Sequence, residues 1–329
     1  MFELTLVIII VAFPFDFLNG MNDAANSVST IVATRVLSPR LAVVWAAFFN
    51  FIAAFFFGVH VAATVGKGIV ETAVVTEPMI FAALLGAITW THLCTRLGLP
   101  ISVSHSLIGG LAGAAVTKSG FGALIPSGLI KVAVFIVLSP LIGFILGIFF
   151  MISVNWIFRH FTMRKVDSIF RVGQLLSSAA FSLGHGTNDA QKTMGIIAIL
   201  LFTSGYLGDT FYVPFWVIIS AHISIGLGTF VGGWRVIRTM GMKLTQLRPA
   251  GGFCAETAGA LVLVGTALAG IPVSTTHTIA GSIMGVGSIR RVTAVRWGLA
   301  GRIIWAWILT IPMSGLTAGI MYLIIDKIT

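Results

Sequence analysis

Charge is what this chain has least of. Of its 329 residues only 9% are Asp, Glu, Lys or Arg, whereas 57% are hydrophobic. So few charges cannot cover a soluble surface, and apolar runs such as 132–156 and 303–325 are long enough to cross hydrocarbon. An ordinary water-soluble domain is excluded, and an all-α polytopic membrane protein is predicted. Cysteine is scarce as well: Cys94 and Cys254 both lie in apolar segments, where they read as small packing residues and define no disulfide framework. A basic leader is also missing. The first residues carry Glu3, no small-residue cleavage site follows, and the opening run is read as a mature helix rather than a signal peptide. The net charge of +10 does not argue for nucleic acid, because Lys and Arg gather in short stretches between apolar segments. Cytoplasmic loops beside anionic headgroups account for them better.

Against that background two polar segments stand out. Gly20-Met-Asn-Asp-Ala-Ala-Asn26 is echoed by Gly186-Thr-Asn-Asp-Ala-Gln-Lys192. A carboxylate at membrane depth costs a few kcal/mol on insertion scales, of order ~3, and marks an ion or substrate path. Asp23 and Asp189 are therefore the first functional candidates. A second pair repeats at nearly the same separation: Leu99-Pro-Ile-Ser-Val-Ser-His-Ser106 and Ile271-Pro-Val-Ser-Thr-Thr-His-Thr278, each followed by a small-xxx-small pair, Gly109 with Gly113 and Gly281 with Gly285. The chain thus divides into a first transmembrane repeat (1–155), a basic cytoplasmic connecting loop (156–172) and a second repeat (173–329).

Charged flanks orient the halves, since cytoplasmic loops carry the excess of Lys and Arg. In the first half the Asn-Asp segment follows Glu3 and precedes Arg35 and Arg40; in the second it follows the basic stretch 159–171. The following segments reverse in the same way, with Glu71 and Glu77 ahead of one and Arg235, Arg238, Lys243 and Arg248 ahead of the other. Two inverted-topology repeats are expected, with Arg40 and Arg164 on one side of the membrane.

Pro100 and Pro272 interrupt their helices, and the residues after them are dense in hydroxyls. A helix restarting there offers free N–H groups and a favourable dipole to an anion, with Ser104, Ser106, Thr276 and Thr278 as further donors. Non-helical backbone at membrane depth must be surrounded by protein or a cavity, so two re-entrant helical hairpins facing one central site are expected. The plainer reading is that these hydroxyls bond back to their own helices. For Lys192, three residues after Asp189, the plain reading is a counter-ion and the sharper one a direct contact to the anion. His105, His185 and His277 are read as neutral donors to nearby oxygens, with proton relay as the alternative.

Taken together, a Gly-x-Asn-Asp-Ala segment and a Pro-[Ile/Val]-Ser-x-[Ser/Thr]-His segment once per half resemble the inorganic phosphate transporter (PiT) family of cation-coupled phosphate symporters, over about residues 15–287. The resemblance implies an inverted-repeat transporter with re-entrant hairpins, commonly a homodimer, importing phosphate with Na⁺ or H⁺. It carries over to Asn22, Asp23 and Asn26, to Asn188 and Asp189, to the hydroxyl-rich stretches 102–106 and 274–278, and to Glu256. The copies differ where Asn26 aligns with Lys192, and Glu256 with Leu84.

The expected ligand set follows. Phosphate is assigned to Ser104, Ser106, Thr276, Thr278 and Asn26; Na⁺ to Asn22, Asp23, Asn188 and Asp189, with the two aspartates as the metal ligands; and coupling to Glu256 and Lys192. Carrying one negative charge into a negative cell costs about 2.3 kcal/mol per 100 mV, so cations must accompany it. No cofactor, no enzymatic activity and no nucleic-acid partner are expected; the bilayer, phosphate and Na⁺ are, in the plasma or inner membrane. H⁺ coupling, a sulfate or other oxyanion permease and a passive channel remain as alternatives. An intramembrane aspartate protease would need neither the paired asparagines nor the hydroxyl segments.

Overall fold

The computed structural model describes residues 2–56 and 58–328. Among them the regular structure is helical, apart from one isolated bridge between Val70 and Leu124. The first half holds α1 (Phe2–Ala33), α2 (Pro39–Ile52), α3 (His60–Lys67), α4 (Glu77–Leu97), α5 (Val103–Ser119) and α6 (Pro126–Ile157). The second holds α7 (Met163–Thr203), α8 (Phe215–Val231), α9 (Trp234–Arg238), α10 (Pro249–Leu268), α11 (Thr275–Arg290) and α12 (Trp297–Ile325). Helices α1, α4, α6, α10 and α12 are each long and apolar enough to span a membrane.

Contacts at the helix ends fix the relation between the halves. At one end of α1 and α7, the Arg171 guanidinium donates to the Arg35 carbonyl at 2.7 Å. At the other end, Glu77 accepts from both Thr5 and Ser204. Helix α7 therefore runs antiparallel to α1, and the expected inversion is present. Arg35 and Arg171 share one side, as the charge flanks require.

Each half also contributes a hairpin that returns to the side it came from. Helix α4 starts at Glu77, and α5 ends where the Lys118 ammonium donates to Val74 O (2.6 Å) and Thr76 Oγ1 (2.9 Å). The α10–α11 hairpin opens on the opposite side, where Arg296 N donates to Leu244 O and Thr245 Oγ1 to Ala294 O. Local sequence explains both tips. Helix α4 closes on Gly98 at φ 71°, a left-handed position suited to glycine, and α5 opens on Ser102, whose hydroxyl accepts from His105 N. Gly270 at φ 65° and Ser274, which accepts from His277 N, repeat the device.

Long outer helices clamp the hairpins. A Cβ on Gly113 would overlap the Gly315 backbone of α12, and one on Gly281 the Pro140 carbonyl of α6, so the small-xxx-small pairs are close-packing positions. The connecting loop expected over 156–172 shrinks to 158–162 between α6 and α7. Nothing in 163–172 breaks a helix, and buried Phe170 anchors that first stretch of α7 against Phe158 and Phe253, with ring centroids 5.1 Å away in each case. The basic residues ride on the exposed face of α7 instead.

Candidate functional site

Neither half builds a polar centre alone. The tip of the α10–α11 hairpin reaches the middle of α1, and the tip of the α4–α5 hairpin reaches the middle of α7. There Asn26 Nδ2 donates to Thr275 Oγ1 (3.2 Å) and Thr276 Oγ1 (3.0 Å). Thr275 Oγ1 in turn lies 2.9 Å from Asp189 Oδ2 and 3.2 Å from Asp23 Oδ2. Thr276 Oγ1 lies 3.3 Å from Asp23 Oδ1 and 3.0 Å from the Ile101 carbonyl. Asp23 and Asp189 are 1% and 0% exposed, so the centre is closed to water on both sides.

Lys192 occupies the other half of the centre. Its ammonium pairs with Asp189 Oδ1 and donates to Ser104 Oγ (2.5 Å) and to the Val273 carbonyl (2.9 Å), which uses its three N–H groups on three oxygens. His185 stands between the carboxylates, with Nε2 3.2 Å from Asp189 Oδ2 and 4.0 Å from Asp23 Oδ2, and with Nδ1 against Asn50 Oδ1 at 3.1 Å. Asp23, His185 and Asp189 together offer ligand atoms within 4.8 Å of one another, a spacing suited to a cation.

Counting protons exposes an imbalance. A hydroxyl has one proton to give, yet Thr275 and Thr276 face four acceptors between them: Asp189 Oδ2, both oxygens of Asp23 and the Ile101 carbonyl. Two acceptors are left without a proton, and no Lys or Arg pairs with Asp23 among the described residues. Asn22 adds to the excess. Its Nδ2 donates to Thr95 Oγ1 at 2.7 Å while, among the described residues, its buried Oδ1 has no partner and the Asn188 amide has none at either atom. Buried acceptors without donors are costly, and a hard cation satisfies them.

Not every expected residue reaches the centre. Ser106 and Thr278 were expected to face the substrate, but their hydroxyls bond back to Ser102 O (3.4 Å) and Ser274 O (2.9 Å) within their own helices. Glu256 sits toward the Arg35 side, where it accepts from Thr30, Gln174 and Ser177 at 2.6, 3.0 and 2.5 Å. His105 and His277 meet each other, ring centroids 4.8 Å apart and edge to face, and His277 stacks on Trp307.

One residue was missed by sequence reasoning. Asp16 is fully buried on the opposite side of the centre, beside Asn19, where Oδ1 accepts from Thr193 at 2.9 Å. The signal was its place in α1: residues 16, 23 and 30 are two helical turns apart, about 10.5 Å per step, so they stack on one face. Acids therefore stand at three levels: Asp16, the aspartate pair, and Glu256 beside Thr30.

Comparisons with known proteins identify the family and the fold. The profile described as the phosphate transporter family matches residues 19–166 and 158–318. A probable low-affinity inorganic phosphate transporter of Rhizobium meliloti (strain 1021) is 57% identical over 99% of this chain and 98% of its own length. A protein of Bacillus subtilis (strain 168) with the same description is 42% identical over the same shares. Among solved structures, one described as the sodium-dependent phosphate transporter superposes with a TM-score of 0.89 at 26% identity, covering 99% of this chain and 100% of that one.

Proposed function

The chain belongs to the phosphate transporter family, and from that premise we propose that it imports inorganic phosphate together with Na⁺ by alternating access. It is a phosphate transporter rather than an enzyme, and a multi-pass integral protein of the plasma membrane. The coupling ion, the ligand set and the transport cycle are our reading.

The observation that carries it is that Asp23, unlike Asp189, has no Lys or Arg partner among the described residues. A Na⁺ there, held by Asp23, the Asn22 Oδ1 and neighbouring hydroxyl and carbonyl oxygens, supplies the missing positive charge. Asp189 and Asn188 complete the acidic wall on the α7 side. Phosphate then binds over the N-termini of α5 and α11, where Val103, Ser104, Thr275 and Thr276 are the first residues and their N–H groups have no intrahelical carbonyl. Ser104, Thr276 and Asn26 add side-chain donors. Until the cation arrives the aspartates repel the substrate, so each ligand raises the affinity for the other. Lys192 holds Asp189 in place, and Glu256 lines the way toward the Arg35 side. The solved relative described as sodium-dependent supports this choice of ion. A homodimer belongs to the same proposal, on the family resemblance.

One observation favours a second reading: His185 Nε2 faces both aspartates, an arrangement equally suited to carrying a proton. Labelled phosphate uptake into liposomes, with inward Na⁺ and H⁺ gradients imposed separately, decides between them. We expect uphill accumulation under the Na⁺ gradient at equal pH. Accumulation under the H⁺ gradient alone would establish the proton instead.

A further inference from the structure

The inverted repeat gives every group around Lys192 a counterpart. Asp189 corresponds to Asp23, Ser104 to Thr276, and the Val273 carbonyl to that of Ile101. The counterparts are gathered in the same way: Thr276 Oγ1 lies 3.3 Å from Asp23 Oδ1 and 3.0 Å from Ile101 O. Each half of the centre is thus the same oxygen shell, made of one carboxylate, one hydroxyl and one main-chain carbonyl. What differs is the side chain at the fourth position. In the α7 copy it is Lys192, whose ammonium touches all three oxygens. In the α1 copy it is Asn26, whose amide reaches the hydroxyls of Thr275 and Thr276 and brings no charge to Asp23.

We infer that the Lys192 ammonium is a tethered cation standing in one of two symmetry-related cation positions, so that only the Asp23 position takes a mobile ion. An ammonium and a monovalent metal ion ask the same of their surroundings, one positive charge met by several oxygens. The ammonium differs in being covalently held, so it never leaves with the substrate. It offsets one of the two central carboxylates throughout the cycle, and one mobile cation offsets the other. The chain therefore moves one cation fewer per phosphate than its own symmetry would allow. A given cation gradient then drives a shallower accumulation, and a smaller cation supply suffices for each turnover.

The inference rests on the proposed cation site at Asp23 but makes a separate prediction about number. Lys192→Asn converts the second shell into a copy of the first, and Asn26→Lys does the reverse. The primary readout is equilibrium binding of ²²Na⁺ to purified protein in phosphate, in sites per chain, which requires folded protein but not turnover. We expect Lys192→Asn to bind one more Na⁺ than the unaltered chain, and Asn26→Lys one fewer. In liposomes, the slope of log phosphate accumulation against log Na⁺ gradient should change by one in the same directions. Lys192→Arg, which keeps the charge, should leave the count unaltered. An unchanged Na⁺ count in either folded variant would overturn the inference. If the unaltered chain binds no ²²Na⁺ and follows protons, the sodium reading fails by itself. The tethered cation is then tested by the charge moved per phosphate under a pH gradient, which Lys192→Asn should still raise by one.

Discussion

Asp23 and Asp189 meet on a single hydroxyl, that of Thr275, 3.2 and 2.9 Å from their Oδ2 atoms. Two carboxylates brought this close repel by roughly 3–4 kcal/mol at an effective dielectric near 20. The residues around them repay that repulsion unevenly: Asp189 has an ammonium and Asp23 does not. In the proposed cycle this asymmetry matters, because an acid that repels phosphate when bare and admits it when masked makes cation binding a condition of substrate binding.

Replacing Asp23 by Asn should abolish sodium-driven uptake. Removing the carboxylate leaves the proposed buried cation without its charged ligand, a loss of about 3 kcal/mol or more, which is at least a 100-fold loss in uptake efficiency. Thermal unfolding in sodium-free detergent should show no loss of stability, because the substitution relieves repulsion. Uptake assays and melting curves on the same preparation check both halves of the statement.

The hydroxyls divide by direction rather than by residue type. Thr276→Val and Ser104→Ala remove groups that face charged partners, worth about 1.5–3 kcal/mol each, and should weaken phosphate or sodium half-saturation by at least tenfold. Thr278→Val and Ser106→Ala remove bonds to the helices' own carbonyls and should change half-saturation less than about threefold. Kinetic titration of the four variants tests the contrast.

Close packing of α5 on α12 and of α11 on α6 holds the hairpin tips at the centre. Gly113→Val and Gly281→Val place methyl groups on opposing backbone and should each destabilise by about 1–3 kcal/mol. Loss of transport should accompany a lower unfolding temperature, whereas Gly122→Ala, at a position with open space, should leave both unchanged.

Glu256 satisfies three donors away from the centre. Glu256→Gln keeps its shape and removes its charge, so phosphate half-saturation at high sodium should hold while turnover falls, by about tenfold or more. Initial-rate measurements separate the two parameters.

Much of this arrangement was legible in the chain itself. The doubled Asn-Asp and Pro-Ser-His segments, with charge flanks that exchange sides, specify two inverted halves and a shared centre, because hydrocarbon leaves few other solutions for buried acids and broken helices. What stayed hidden depends on rotamers and on contacts between halves. Nothing local tells that Ser104 faces Lys192 while Ser106 turns back on Ser102, since both are hydroxyls at a helix start. Asp16 was passed over because it has no counterpart in the second half, and its meaning comes from Thr193 on the antiparallel helix. The connecting segment looked like a loop by charge alone, whereas a helix that carries its charges on one face and Phe170 on the other reads much the same in composition.

The central claim is that phosphate binds because a cation first masks Asp23, and equilibrium binding of labelled phosphate to purified protein tests it most directly. With Na⁺ present, phosphate affinity should be at least tenfold tighter than in choline at the same ionic strength, and phosphate should tighten Na⁺ by the same factor. Equal phosphate affinity in Na⁺ and in choline, at every pH tried, would contradict it.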